Sequence, residues 1–420
     1  MLKVYSVAIF LYAIVAKILS LFNSKIEQWV LGQKIWRVDL AQLRVLQEPI
    51  WFHCASVGEF EQARPLIEAI RAQFPDISMV ITFYSPSGYK LRRDYGKVDL
   101  VTYMPLDLKV NALRFLDALN PRAVIFVKYE LWFNFMDVIS KRKIPFVLVC
   151  AHFQKDHWIS KPYARYFAKR LMQFDKIFLQ DKLSANVLNN YQLNNLKVAG
   201  DTRFERVQQV ALAQFNDDVL IEFATNSEVL VAGSTWMSDI EVLIPVLEAN
   251  RNLKIIVAPH ELTIDQQNKW KSYYKSEMLR YSELSGSINS NVRLIYIDCI
   301  GLLSKLYRLA TYTYVGGGFG YNVHNTLEAA VYGKPVFFGP KNKRFAEIQS
   351  LKAIGAGFEI QDGADFVSKL NSLTPELRIE IKSQLAQYFQ ANIGAVQTIL
   401  HWMVESEVLE HKKTPSKEEV

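Results

Sequence analysis

An α/β fold with two doubly wound parallel sheets is what this sequence predicts, on three observations. Short apolar runs alternate with helical stretches. The alternation halts at a polar stretch near residues 205–226 and then starts again. The 420 residues are too many for one core and enough for two domains of ordinary size. Strands of a parallel sheet are covered by helices on both faces, so they read as continuous apolar runs rather than as alternating ones.

Taken in order, residues 4–22 come first and are apolar apart from Lys17. As a helix this run is about 28 Å long, close to the thickness of a bilayer core. The segment Ile18-Leu19-Ser20-Leu21-Phe22-Asn23 offers no small-x-small cleavage site, which argues for an anchor over residues 1–24 rather than a removed leader. Lys17 can snorkel, so a span and an interfacial position both stay open. A connecting helix is expected over about 24–47. Strands then follow at 49–55, 77–84, 123–127, 146–151 and 176–180, with a helix over 60–74 between the first two. After the polar stretch, strands are expected at 229–232, 254–258, 293–297, 312–315 and 335–338. One long amphipathic helix is predicted over 376–404. The expected domains are thus 25–205 and 206–404, facing a cleft, with a charged and frayed tail over 405–420.

Composition narrows the function only a little. Cys54, Cys150 and Cys299 are far apart and odd in number, so neither a metal-ligand spacing nor a disulfide framework is present. The net charge of +7 suits an anionic partner such as nucleic acid, a phosphorylated lipid or a membrane surface, and equally a soluble protein that is basic for no special reason. No Lys/Arg cluster is interleaved with aromatics at a recognisable motif, so no nucleic-acid partner is expected.

Four segments could carry chemistry. His53-Cys54-Ala55-Ser56-Val57-Gly58-Glu59 leads from a strand into a helix. Glu59 could there act as a base toward a hydroxyl, or Ser56 and Glu59 could simply form a capping box. Lys128-Tyr129-Glu130-Leu131-Trp132-Phe133-Asn134 sets charges at the top of a buried strand, which is costly unless they bind something or pair with each other. Arg203, in Gly200-Asp201-Thr202-Arg203-Phe204, could neutralise a phosphate, or pair with Asp201 or Glu205. Gly316-Gly317-Gly318-Phe319-Gly320 follows a strand, and His324-Asn325-Thr326-Leu327-Glu328 then opens a helix. Glycines permit close backbone approach, helix N–H groups suit a phosphate, and Glu328 suits ribose hydroxyls. The run fails the G-x-G-x-x-G pattern. P-loop, H-E-x-x-H and G-x-S-x-G motifs are absent, as is the D-x-D pair by which metal-dependent glycosyltransferases hold a nucleotide.

Together these segments resemble the 3-deoxy-D-manno-octulosonic acid (Kdo) transferase family of lipopolysaccharide synthesis. The resemblance covers nearly the whole chain. It rests on Ser56-x-Gly58-Glu59, Glu130-Leu131-Trp132-x-Asn134, the Gly316-Gly317-Gly318 turn, Asn325-x-Leu327-Glu328, and Gly333-Lys334-Pro335-Val336 through Gly339-Pro340. It implies a GT-B fold of two Rossmann-like domains and an inverting transfer of Kdo from CMP-Kdo to a lipid A precursor (lipid IVA), without metal or other cofactor. It further implies Glu59 as general base, Glu130 as a second essential carboxylate supporting the transition state, and Arg203 where many members carry Lys. CMP would be held by Pro259 and His260, by Ile300, Gly301 and Leu302, and by Asn325, Thr326, Leu327 and Glu328.

The chain departs from the commoner pattern in three places. Pro259-His260-Glu261 replaces Pro-Arg-His, no Met-Gly-Glu stands at 300–302, and Lys128-Tyr129 replaces a Glu-Thr pair, a variation associated with the Bacteroidetes branch. An inner-membrane location follows, with the catalytic body on the cytoplasmic face and Lys3, Lys17, Lys25 and Lys34 favouring an acidic leaflet. Two rivals remain: a GT-B transferase using another sugar nucleotide, and a non-catalytic nucleotide-binding adaptor in which Glu59 is only a cap.

Overall fold

The computed structural model describes residues 1–154, 157–161, 164–275, 277–284, 286, 288–289, 291–343 and 345–409. Most of the expected charged tail, residues 410–420, lies outside them. Two compact units are present. The first comprises Met1–Arg206 together with the chain from Asn392 onward, and the second is Val207–Ala391.

The first unit is built on a seven-stranded sheet. Its strands are β1 (Ile50–Cys54), β2 (Met79–Phe83), β3 (Leu100–Tyr103), β4 (Ala123–Val127), β5 (Phe146–Ala151), β6 (Lys176–Leu179) and β7 (Leu196–Val198). They run parallel in the order β3-β2-β1-β4-β5-β6-β7. Successive side chains of a strand face opposite ways, and β1 shows it: Trp51 joins the apolar cluster on one face, while Ile50, Phe52 and Cys54 join that on the other. Both faces are therefore core, as the continuous apolar runs require.

The second unit repeats the plan with β8 (Val229–Thr235), β9 (Lys254–Pro259), β10 (Met278–Arg280), β11 (Leu294–Tyr296), β12 (Tyr312–Val315), β13 (Val336–Phe338) and β14 (Gly357–Glu359). These are also parallel, in the order β10-β11-β9-β8-β12-β13-β14. In each sheet the winding reverses beside the first strand, between β1 and β4 and between β8 and β12. A crevice opens at the carboxyl ends of the strands at such switch points.

Ten strands coincide with predicted apolar runs. The four others, β3, β7, β10 and β14, are the outer edges of the two sheets. Each is three or four residues long and partly exposed, so none carries the unbroken apolar run that marks a central strand.

The C-terminal helix predicted over 376–404 is two helices, Pro375–Asn392 and Ala395–Glu405, broken at Gly394 with φ +122°. The second returns to the first unit, so the span 206–404 expected for the second domain is divided. Glu205 Oε1 accepts from the N–H groups of Gly394 and Val396 at 2.9 and 3.0 Å and caps the returning helix. Val396, Ile399, Leu400 and Met403 then fill the apolar face shared with Ile50 and Phe52. The expected fraying at 405–409 does not occur. Val408 and Leu409 are buried, and Arg122 Nη1 donates to the Leu409 carbonyl at 3.0 Å.

The apolar N-terminal run forms the helix Leu2–Leu19, long and apolar enough to cross a membrane. One of its faces is docked on the first unit. Tyr5 Oη donates to Asp107 Oδ2 at 2.7 Å, Ser6 Oγ to Asn134 Oδ1 at 3.1 Å, and the Tyr12 ring meets Trp29 edge-on at 5.6 Å. The other face exposes Val4, Val7, Leu11, Val15 and Ile18.

Candidate functional site

Glu59 stands in the first turn of the helix Val57–Gln73, which leaves the carboxyl end of β1. Ser56 is the N-cap, and the capping box is formed, with the Ser56 N–H donating to Glu59 Oε2 at 2.9 Å. Glu59 is 8% exposed. Burial raises its pKa above the ordinary carboxylate value, the negative charge of Glu130 adds to the rise, and His53, the Ser56 N–H and Lys128 oppose it.

Glu130 follows β4, the strand beside β1 across the switch point. Trp132 Nε1 donates to its Oε2 at 2.7 Å, and His53 Nε2 lies 3.5 Å from the same oxygen. Lys128, between β4 and Glu130, has φ +69°. A non-glycine residue held in that region costs of order 1–3 kcal/mol, and such residues gather at functional sites. Topology thus brings together the two acidic motifs that the sequence separates by some seventy residues.

Arg203 begins the helix Arg203–Leu212, and its guanidinium is held by Asp201 through Nε at 2.8 Å and Nη2 at 2.7 Å. Asp201 is thus a partner that the structure gives it. Glu205 Oε1 is committed to the cap described above.

In the second unit the predicted nucleotide segments gather at one end of the sheet. Pro259 ends β9 and His260 follows it, Ile300 to Leu302 follow β11, and Asn325 to Glu328 follow β12. Ile300 is 83% exposed, and Gly301 has φ +92°. Asn325 Nδ2 donates to Glu328 Oε1 at 3.0 Å, and Asn325 Oδ1 accepts from the Leu327 N–H at 3.2 Å. Thr326 is fully buried, and its Oγ1 has no hydrogen-bond partner among the described residues.

Two expectations change here. The helix opening after Asn325 is one turn, Leu327–Ala330, so it offers little macrodipole to a phosphate. The Gly317 N–H is already given to Asp239 Oδ2 at 3.0 Å. The glycines answer a packing demand. A Cβ on Gly316 would come within 2.4 Å of the Ser234 carbonyl, and one on Gly318 within 2.6 Å of the Gly339 backbone. That contact is why the Gly316-Gly317-Gly318 turn and the Gly339-Pro340 segment occur together.

Sequence reasoning missed two residues that build this end. Asp239 is fully buried and accepts from Tyr314 Oη (2.6 Å) and the Trp236 N–H (2.7 Å) as well as from Gly317. Trp236 donates through Nε1 to His324 Nε2 at 3.0 Å, and its ring stacks on His260 at 4.7 Å. The His260 and His324 rings stack at 4.2 Å. Burial and the neighbouring His260 lower the His324 pKa to about 4, so its Nε2 accepts as a neutral imidazole. The available signal was an acidic residue three positions after Trp236, at the close of a strand.

Comparison with known proteins agrees with this architecture. Residues 31–206 match the family model of 3-deoxy-D-manno-octulosonic-acid transferase (kdotransferase). The chain is 28% identical over 327 residues to 3-deoxy-D-manno-octulosonic acid transferase of Chlamydophila psittaci, covering 73% of each protein. It is 26% identical over 369 residues to that of Haemophilus influenzae, covering 84% of this chain and 85% of the other. Among solved structures, UDP-GlcNAc 2-epimerase from Neisseria meningitidis superposes with a TM-score of 0.61 at 14% identity, over 85% of this chain and 100% of that one. A glycosyltransferase from Rickettsia africae gives 0.57 at 11%, over 87% and 100%. At such identities the structural matches show the fold alone, and the fold is GT-B. The family model spans the segment that holds both acidic motifs, and most of the chain aligns with transferases of that kind, so this protein is a glycosyltransferase similar to the Kdo transferases of lipopolysaccharide synthesis.

Proposed function

We propose that the chain transfers Kdo from CMP-Kdo to a lipid A precursor, lipid IVA, by a single inverting displacement with Glu59 as general base. The observation that carries this reading is the Glu59 carboxylate itself. It is buried at the switch point of the first sheet and raised above the ordinary carboxylate range by burial and by Glu130. A base becomes more effective as its pKa climbs toward the working pH. The acceptor hydroxyl gives its proton to Glu59 as its oxygen bonds to the anomeric carbon, and the bond from that carbon to the CMP phosphate oxygen breaks. Glu130, fixed by Trp132, stabilises the positive charge that develops on the sugar.

In the second unit Pro259, His260, Ile300 to Leu302 and Asn325 to Glu328 hold CMP. Arg203, oriented by Asp201, supplies positive charge for the donor phosphate. The missing D-x-D pair supports a transfer that needs no metal.

The helix Leu2–Leu19 seats the enzyme on the inner membrane with the body on the cytoplasmic side. Its docked face, tied by Tyr5 to Asp107, is committed to protein, so the exposed stripe lies in the interface rather than crossing the bilayer.

The test is transfer by purified protein from CMP-Kdo to a lipid A disaccharide bisphosphate, with EDTA present, for wild type and Glu59→Gln. The expected result is product from wild type and a loss of about 10²–10⁴-fold in the variant. Full activity in Glu59→Gln would reduce Glu59 to a cap. No product from wild type, with acceptor controls sound, would move the donor to another sugar nucleotide.

A further inference from the structure

We infer that His53 is a positioning residue for the reaction: it presents its Nε2–H to Glu130 and holds that carboxylate in its working rotamer. The inference rests on the proposed roles of Glu59 and Glu130.

The imidazole is fully buried on β1. Its ring plane is fixed by two edge contacts, with Phe126 at 5.4 Å and Trp132 at 5.1 Å. Its orientation is set at Nδ1 by Thr82 of β2. Thr82 Oγ1 lies 2.9 Å from Nδ1, and the Thr82 carbonyl lies at 3.2 Å. Trp51 Nε1 donates to Thr82 Oγ1 at 2.9 Å, and the threonine hydroxyl has the Phe52 carbonyl as an acceptor at 3.5 Å. With the ring so oriented, Nε2 points at the Glu130 carboxylate, 3.5 Å away, and a proton on Nε2 gives that carboxylate a donor. Without a proton on Nε2 its lone pair would face that carboxylate, a repulsive arrangement.

The Nε2 atom is buried and makes no hydrogen bond among the described residues. A buried donor without a partner is costly, and a catalytic role is one of the reasons a structure retains it. The 3.5 Å separation is one that closes to a hydrogen bond as substrate fills the site, since catalytic hydrogen bonds commonly tighten in the reacting complex. Trp132 and His53 then hold the same oxygen, Oε2, from two sides. The chain Trp51, Thr82, His53, Glu130 runs from core to site through β1, β2 and the segment after β4, so the carboxylate is set by the rigid sheet rather than by its own loop. The titratable and charged groups that bear on this pair are Glu59 from the helix after β1, Lys128 beside Glu130, Cys54 on β1, Tyr84 after β2 and Tyr5 of the N-terminal helix.

Asparagine and glutamine separate the two ring nitrogens, because the Asn amide reaches the place of Nδ1 and the Gln amide that of Nε2. His53→Asn is expected to lower kcat about 10- to 100-fold, as a misplaced catalytic group does, with KM for CMP-Kdo little changed and the acid limb of the pH profile moved to higher pH. His53→Gln should recover most of that loss and return the limb toward wild type. In a Glu130→Gln background, His53→Asn should cost nothing further. Equal activity and an unmoved acid limb in His53→Asn and His53→Gln would overturn the assignment, as would full additivity with Glu130→Gln. Thermal melts of all variants separate these outcomes from loss of fold. Glu59→Gln measured alongside separates them from failure of the base assignment, because the contrast between Asn and Gln is read in kcat whichever group accepts the proton.

Discussion

Glu59 caps a helix and faces an acidic neighbour, and each demand pulls on its charge. The Ser56 N–H favours the ionised form, whereas burial and Glu130 favour the protonated one, and the second pair prevails. A raised carboxyl pKa keeps the proton on to higher pH, so the basic form is lost earlier as pH falls. The acid limb of kcat/KM should therefore lie above the ordinary Glu value of 4.5. Glu130→Gln removes one cause of the rise and should move the limb of the residual activity to lower pH. A limb that stays put in that variant would mean the two carboxylates do not communicate. At this scale the sequence was only partly legible. The resemblance supplied Glu59 and Glu130, whereas a capping box and a general base are written with the same letters. His53 read as an ordinary strand-end residue, because its neighbours Thr82 and Trp132 are close only through strand pairing and the turn after β4.

Among the elements, the central strands were legible and the edges were not. A strand buried on both faces must be apolar throughout, while an edge strand such as β7, with Lys197 and Val198 exposed, is free to carry anything. The C-terminal helix shows a second limit. Its apolar spacing predicted burial correctly, but spacing does not name the partner, and the break at Gly394 sends the last eleven helical residues to the first sheet. Leu400 is 2% exposed there. Leu400→Ala should destabilise the protein by about 2–5 kcal/mol in chemical denaturation. A change below about 0.5 kcal/mol, the range of ordinary surface substitutions, would remove this helix from the core of the first unit.

Taken whole, the molecule carries +7 and a helix with one docked and one bare apolar face. The charge and the apolar run were plain in the sequence. The docking was not, since Tyr5 and Ser6 find their partners at Asp107 and Asn134, more than a hundred residues away. Leu11→Asp with Val15→Asp alters only the bare face. The pair should weaken sedimentation with anionic vesicles at least tenfold while leaving the melting temperature nearly unchanged. A reagent that cannot cross the bilayer should reach a cysteine placed at residue 2 from the same side as the body. Labelling from the opposite side would mean that the helix spans.

The path of the chain between the units has a consequence for biosynthesis. The second unit is one uninterrupted stretch, whereas the first is opened after Arg206 and closed only from Asn392. On the ribosome, the strip of β1 and its neighbours that later receives Ile399, Leu400 and Met403 stays uncovered while about two hundred further residues are made, roughly 10–40 s at ordinary elongation rates. The enzyme's oldest domain on the ribosome is thus the last to be finished. For that interval its exposed apolar strip calls for a chaperone, or for the membrane surface on which the proposed anchor would seat the chain.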